Sequence, residues 1–443
     1  MASVVPRNNM MAALKDHPAK LYVETTTRCN LRCSMCVKQA EGACISEGDM
    51  PMDVFRSLEP AFPHLDGLIL NGIGEPLLTP DLLEMIRLAR AVMPATGRIS
   101  FQTNGMLLTP QLAEGLVAAG LDTVCLSVDV VGEDGIFHGG EDIGRAVHAF
   151  SYLQKAAKKL GRQLSIGVEF VLMRETADAL PRSLDWAADQ GAEFALVTHM
   201  LPYGESMAEQ ELFNPNTEQS MAEFALWQQE AEERGVDLSL YFDVLWKFYK
   251  SREEAELVRF IMERQNDALS RNIPINLASL MEWSTPEKRA EQEHLARLLA
   301  DSQAVANARG MELTLPPVAA THERQCDFVE QGVAHVTAAG DVRPCYFLWH
   351  EYSCFMDGGV KKITPRTFGN ALETSILEIW NSEPYRAFRG EVLEYAYPYC
   401  SNCSVVPCSD VTGQGHAFEQ DCFGLTIPCG HCLWCMGGVR CLL

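Results

Sequence analysis

Between residues 20 and 200 the chain alternates short β-rich runs with stretches of helical periodicity, and this alternation restricts its fold more than any other feature. The candidate strands are 21–26, 67–72, 98–103, 123–129, 164–172 and 193–199. Helical stretches such as "PDLLEMIRLARAV" and "PQLAEGLVAAG" separate them, and the second closes on Gly120, a natural residue for the left-handed turn past a helix end. Successive parallel strands need right-handed crossovers, so the pattern predicts a parallel sheet backed by helices. Six repeats are too few to close an eight-stranded barrel. An open or partial barrel, or a doubly wound sheet, is expected, and in either the functional residues belong at the C-terminal ends of strands.

From about 205 to 315 the text changes character. "NTEQSMAEFALWQQEAEERG" and "STPEKRAEQEHLARLLADSQAVANARG" read as amphipathic helices, each closed by a glycine. Thr285 as N-cap, Pro286 at the first helical position and Gly310 as the stop mark the second one clearly. This stretch is read as a helical insert or bridging domain, with the aromatic residues of "LYFDVLWKFYK" expected in its core. Beyond residue 326 the chain is rich in cysteine and turns, with little periodic core, and such a segment is held by metal rather than by apolar burial. The expected division is therefore 1–205, 206–320 and 321–443.

The sixteen cysteines are unevenly spread: Cys29, Cys33, Cys36 and Cys44 near the start, Cys125 alone, and eleven from Cys326 onward. The first twenty residues lack a continuous apolar run, and no segment approaches the roughly 18 apolar residues that span a bilayer. A cytoplasmic chain is expected, where thiols stay reduced and many cysteines signal metal rather than disulfides. The formal net charge of -23 argues against nucleic acid and against an anionic membrane surface as partners. Two separate metal centres, or sets of centres, are the simplest expectation.

Cys29, Cys33 and Cys36 stand at C-x3-C-x2-C spacing directly after the first candidate strand. A cubane iron–sulfur cluster is normally held by four thiolates. Three leave one iron with open coordination, able to bind a small molecule through N and O atoms. The alternatives are a zinc site completed by a distant His or Cys, or three unrelated core thiols.

"CNLRCSMC" resembles the signature of the radical S-adenosylmethionine (SAM) enzymes, which follows the first strand of a partial (β/α)6 barrel. The resemblance implies a [4Fe–4S] cluster on Cys29, Cys33 and Cys36 whose open iron chelates SAM. Met35 stands where the family usually has an aromatic residue near the adenine. "NGIGEP" resembles the family's GGEP motif through Gly74, Glu75 and Pro76, with Ile73 between the glycines, and implies a contact to the SAM ammonium. "QTNG", with Asn104, resembles the TNG segment lining the site, and Ser127 and Asp129 end the fourth strand, where ribose or substrate contacts are common. Glu169 and Arg174 on the fifth strand, and His199 and Tyr203 at the end of the sixth, are further candidates for SAM or substrate contact. The resemblance covers residues 20 to about 205 and implies a reduced flavodoxin- or ferredoxin-type electron donor.

In the C-terminal part, Cys326, Gly340 and Cys345 form C-x13-G-x4-C, followed by "CSNCSVVPC" (Cys400, Cys403, Cys408), Cys422, "CGHCLWC" (Cys429, Cys432, Cys435) and Cys441. A zinc ribbon explains one pair of C-x2-C elements but not eleven thiols. The pattern resembles the SPASM domain, which carries two auxiliary [4Fe–4S] clusters in many radical SAM enzymes. By that resemblance the first auxiliary cluster takes Cys326 and Cys345, with Cys422 reaching across and Cys354 as fourth ligand. The second takes Cys400, Cys403 and Cys408, closed by one of Cys429, Cys432, Cys435 or Cys441. Cys125 is expected to be a buried inert thiol, and Cys44 fits no spacing. The expected function is cleavage of SAM to a 5′-deoxyadenosyl radical that abstracts hydrogen from a peptide or protein client, as a maturase of a metalloenzyme or modified peptide. A radical SAM enzyme acting on a small molecule such as a haem precursor, and a zinc-stabilised scaffold, are the alternatives.

Overall fold

A computed structural model describes residues 10–40, 43–128, 131, 143–356, 359–403 and 420–442 of the chain. Asp129 and Cys408 lie outside the described residues. The six expected strands are β1 (Lys20–Val23), β2 (Gly67–Ile69), β3 (Arg98–Thr103), β4 (Thr123–Ser127), β5 (Ser165–Leu172) and β6 (Phe194–His199). They pair in parallel and in chain order, with registers such as Leu21 opposite Leu68 and Ser127 opposite Glu169. β2 is buried throughout and β4 at its centre, as parallel strands covered on both faces must be. The fold is mixed α/β, an open parallel sheet with helices behind it.

The helices begin and end where side chains can satisfy orphan backbone groups. Before the helix Pro110–Ala119, Thr109 Oγ1 accepts the Leu112 amide at 3.2 Å, and Gly120 ends it with φ of 115°. Thr285 Oγ1 accepts the Lys288 amide before Pro286–Arg309, and Gly310 closes that helix at φ 66°.

The sheet does not stop at six strands. β7 (Glu312–Thr314) adds in parallel beside β6. On the opposite edge β8 (Val333–Val336) runs parallel to β1, followed by antiparallel β9 (Asp341–Arg343). A hairpin of β10 (Tyr352–Met356) and β11 (Gly359–Ile363) stands apart, and β12 (Gly369–Asn370) pairs with β9. The order β12-β9-β8-β1-β2-β3-β4-β5-β6-β7 therefore joins the cysteine-rich region to the barrel by backbone hydrogen bonds.

The stretch 206–320 contains two kinds of packing. Helices from Glu218 to Trp283 enclose their own core, centred on Phe224, Trp227, Leu257, Phe260 and Leu280. The helix Pro286–Arg309 instead buries Leu295, Leu299 and Ala306 in the main core, packed on the helix Leu180–Asp189. The expectation that the aromatic residues of "LYFDVLWKFYK" fill a core holds for Tyr241 but fails for Phe242, which is exposed, and for Trp246, Phe248 and Tyr249, which are more exposed still. These three follow the short helix Tyr241–Leu245, where no further turn exists to fold them inward.

Candidate active site

The loop after β1 carries the three cysteines, and its shape is fixed from both sides. Arg28 grips Asp49 with two nitrogens, Nε to Oδ1 at 2.9 Å and Nη2 to Oδ2 at 2.6 Å, and donates to the Leu78 carbonyl at 3.0 Å. Lys38 Nζ donates to the Thr27 carbonyl at 2.8 Å. Cys33 is exposed, while Cys29 and Cys36 are half-buried. Burial pushes the Cys29 and Cys36 thiols up, offset at Cys29 by the Leu31 amide, which donates to its sulfur at 3.4 Å.

These thiols open on a cavity of about 850 Å³ at the C-terminal ends of the strands. Met35, Gly74, Glu75, Asn104, Ser127 and Glu169 also line it. Glu169, Val171 and Met173 all reach it because alternate residues of β5 point to one face. Gly74 is required by contact: a Cβ there would sit 2.4 Å from the Thr26 carbonyl oxygen and 2.5 Å from that of Arg28. Glu75 does more than line the wall. Its carboxylate accepts hydrogen bonds from Thr103 Oγ1 at 2.6 Å, the Asn104 amide at 2.9 Å and the Leu77 amide at 3.0 Å, tying the GEP and TNG segments together. Burial nevertheless lifts its carboxyl above the ordinary range.

The floor is polar. Gln102 Nε2 donates to Ser127 Oγ at 3.0 Å and to the Glu169 carboxylate, and Asn71 donates to Gln102 Oε1 at 3.4 Å. Glu169 has protein mass on every side except the cavity, and this burial lifts its carboxyl to about 7. Glu24, wholly buried just past β1, supports the same loop: it accepts from the Ile73 amide at 3.2 Å, the Ala338 amide at 3.2 Å and His350 Nε2 at 3.1 Å. Burial acts to raise the Glu24 carboxyl, but His350, His335 and the Ile73 amide together bring it below the ordinary range.

Several candidates play other parts. Pro76 starts the turn Pro76–Leu78 without lining the cavity. Arg174 pairs with Glu291 and donates to the Glu209 carbonyl, holding the helical layer. His199 turns to the Pro317 carbonyl at 2.9 Å, and burial takes it down to about 4. Tyr203 is half-buried, edge-on against Tyr352. Cys125 is fully buried in β4, and Cys44 is exposed. Sequence reasoning did not single out Gln102, Asn71 or Glu24, although polar residues closing consecutive apolar strands were a visible signal.

The C-terminal thiols group differently from the allotment that the SPASM resemblance implied. Cys326, Cys345, Cys429, Cys432 and Cys435 surround one narrow void walled by Phe347, Phe388 and Trp434. Hydrogen bonds from Cys326, Cys429 and Cys432 hold the Cys435 thiol well below its ordinary range, and its charge and their burial raise theirs. Cys345 is pushed up to about 12 by burial. Neither Cys422 nor Cys354 lines this void. Cys422 is exposed, and Cys354 lies in the β10–β11 hairpin, whose Phe355 amide donates to the Pro202 carbonyl beyond β6. The reason is local: the turn Cys429–His431 folds its thiols back towards Cys326. Cys400 meets the same turn, since a Cβ on Gly430 would lie 2.6 Å from its sulfur. Arg324 fastens these loops, stacked at 3.8 Å on Tyr399 and donating to the Pro398 carbonyl at 2.8 Å. Cys441 accepts from Trp434 Nε1 at 3.1 Å, on the tail beside β6.

A loop of three thiols beside a cavity of this size, with a glycine cradle and polar floor, fits a cluster with one open iron and a bound SAM. The family model described as "Radical SAM superfamily" matches residues 23–187, and "Iron-sulfur cluster-binding domain" (SPASM) matches residues 326–404. The chain belongs to the radical SAM enzymes and carries a SPASM domain, so iron–sulfur clusters and SAM are its cofactors. Among curated relatives it is 28% identical over 427 residues to the "Tungsten-containing aldehyde ferredoxin oxidoreductase cofactor-modifying protein" of Pyrococcus furiosus, covering 95% of this chain and 96% of that one. It is 29% identical over 245 residues to the PqqA peptide cyclase of Granulibacter bethesdensis, covering 54% and 62%. Among solved structures, Streptococcus suis SuiB bound to S-adenosylmethionine superposes over 90% of this chain and 75% of that one, at TM-score 0.49 and 13% identity. Among the described residues no helix is long and apolar enough to cross a membrane.

Proposed function

We propose that this enzyme cleaves SAM reductively and abstracts hydrogen from a protein client during maturation of a metalloenzyme, a tungsten-containing oxidoreductase being the first candidate. One observation carries the chemical half: the cavity brings Cys29, Cys33 and Cys36 together with Gly74, Glu75, Asn104 and Ser127. The full-length match to the Pyrococcus cofactor-modifying protein supports the client. When bound, the reduced cluster supplies the electron that splits the SAM sulfonium into methionine and a 5′-deoxyadenosyl radical. The chain's own residues bind, orient and shield. Glu75 fixes the TNG segment, leaving backbone groups of the 71–76 loop for the SAM amino group, and Gly74 lets that loop lie against the cysteine loop. Gln102, Ser127 and Glu169 present polar groups to the ribose or the substrate. Walls from the ends of β1 to β5 shield a reactive carbon radical.

In this reading the chain divides at 205 and 320, two auxiliary [4Fe–4S] clusters occupy the C-terminal part, and a flavodoxin- or ferredoxin-type protein delivers electrons. The void by Cys435 supports a first auxiliary centre, with Cys400 and Cys403 belonging to the second. The test is anaerobic reconstitution with SAM and dithionite, assayed for 5′-deoxyadenosine, then repeated with candidate apoproteins. Formation of 5′-deoxyadenosine that no apoprotein accelerates or consumes for its own modification defeats the maturase reading. Absence of 5′-deoxyadenosine altogether defeats the chemistry.

A further inference from the structure

The helices from Glu218 to Trp283 have a core of their own, yet they display three large aromatic side chains to solvent. Trp246, Phe248 and Tyr249 are 88%, 91% and 86% exposed, and Leu240 and Phe242 extend the apolar surface beside them. A cluster of this kind on a water-soluble surface marks an interaction site. Its loop is not slack. Lys247 Nζ reaches Glu254 at 2.6 Å, Lys250 Nζ donates to the Lys247 carbonyl at 2.6 Å, and Ser251 and Glu254 form a reciprocal cap at the next helix. Phe248 and Tyr249 brace each other edge to face at 4.9 Å. A preformed aromatic knuckle loses little entropy on binding, which is how such anchors dominate interfaces.

Charge selects the occupant. The chain carries a formal net charge of -23, but at the knuckle Lys247 is paired with Glu254, and among the described residues Lys250 and Arg252 form no ion pair, so their cations are left to a partner. An acidic partner is repelled by most of this surface and steered to the knuckle. A second copy of the chain fits less well, because a two-fold dimer through this patch sets cations against cations, between two acidic molecules. An anionic membrane meets the same repulsion from the rest of the chain.

We propose that Trp246, Phe248 and Tyr249, flanked by Lys247, Lys250 and Arg252, dock an acidic, apolar-centred face of the protein client. This rests on the reading of the chain as a maturase and names the surface and the chemistry of its partner. The probe is the apoprotein of a tungsten-containing aldehyde ferredoxin oxidoreductase, titrated against the cluster-loaded enzyme by anaerobic calorimetry. Replacing Trp246, Phe248 and Tyr249 together by Ala weakens binding on the order of a hundredfold, since central aromatic anchors carry most interface energy. Raising salt from about 0.05 M to about 0.5 M weakens the wild type, and Lys250→Glu with Arg252→Glu does so at low salt. Client-free cleavage of SAM stays at the wild-type rate in every variant, which shows that each is folded. Equal binding by wild type and triple variant overturns the docking surface alone. No binding by wild type overturns the client reading and this proposal with it. Triple-variant loss seen only in self-association by sedimentation, or only on phosphatidylglycerol vesicles, overturns it in favour of that occupant.

Discussion

Glu24→Ala is the sharpest test of how the SAM-facing loop is held. The wild-type carboxylate is fully buried and satisfies three donors: the amides of Ile73 and Ala338 and the His350 imidazole. Gly72 exists for this contact, because a Cβ there would stand 2.4 Å from Glu24 Cγ. Truncation leaves the buried Ile73 amide, the half-buried Ala338 amide and a half-buried imidazole without their acceptor. Removing one partner from such a buried set costs about 3–5 kcal/mol. Glu24→Gln recovers little, because its amide nitrogen must face either the Ile73 N–H or the Ala338 N–H, donor against donor. Ile73 lines the cavity, so freeing its amide loosens the wall against SAM as well as the core, and roughly tenfold weaker SAM binding is expected. Guanidinium unfolding followed by tryptophan fluorescence reads the first effect, and anaerobic calorimetry with SAM reads the second. An alanine variant with the wild-type unfolding midpoint and SAM affinity refutes the argument that Glu24 joins the two halves of the molecule.

Gly74→Ala forces a methyl against two carbonyl oxygens at 2.4 and 2.5 Å, so the loop shifts at a cost of about 1–3 kcal/mol. SAM cleavage falls while iron at the first triad is retained, and wild-type cleavage by this variant contradicts the cradle. Cys435→Ala removes the thiol on which Cys326, Cys429 and Cys432 converge, and iron analysis should show the loss of about four irons per chain. Cys354→Ala should leave the iron count near wild type, and the reverse result restores the allotment that the resemblance implied. For Glu169, raised from 4.5 to about 7, the folded chain holds a proton that the unfolded chain has released. Stability therefore falls as pH rises from about 4.5 to about 7, by up to about 3 kcal/mol, and levels off above. A protonated-carboxyl infrared band that titrates near 7 and vanishes in Glu169→Gln is expected, and a band already lost near pH 5 refutes the shift.

Much of the barrel was legible because parallel strands buried on both faces announce themselves as apolar runs, and because Thr109, Gly120, Thr285 and Gly310 mark helix ends by their own backbone chemistry. The first cysteine loop was legible for a related reason, since its ligands lie within eight residues and need no knowledge of the tertiary fold. The grouping of the C-terminal thiols was not. Cys326 and Cys435 are 109 residues apart, and spacing cannot say which turn folds back on which. Glu24 escaped notice because its partners Ile73, Ala338 and His350 come from three distant segments. The knuckle at 246–249 was misjudged because large aromatic residues are usually buried, and only the surrounding packing reveals an exception.

The cysteine-rich region is built into the barrel rather than hung from it. β8 pairs with β1, and Cys326 and Cys345 flank the β8–β9 hairpin that makes this pairing. The tail then returns beside β6: the His199 amide donates to the Gly438 carbonyl at 3.0 Å and the Arg440 amide to Thr198 Oγ1 at 2.9 Å. Arg440 pairs with Asp327 at 3.0 Å, and the Tyr22 hydroxyl of β1 meets the Leu442 carbonyl. One segment thus touches β6, the start of the auxiliary region and β1, bridging two strands that lie five places apart in the sheet. Loops with so little regular structure draw their folding energy from bound metal, so removing iron from the chain is expected to loosen this bridge, read as a lower unfolding midpoint of the apoprotein. The Gln325 amide bonds the Cys435 carbonyl, and the same loops carry His350 to Glu24. Glu24 thus ties the loop that faces the cavity, through Ile73, to the β8–β9 turn and the segment after Cys345, through Ala338 and His350.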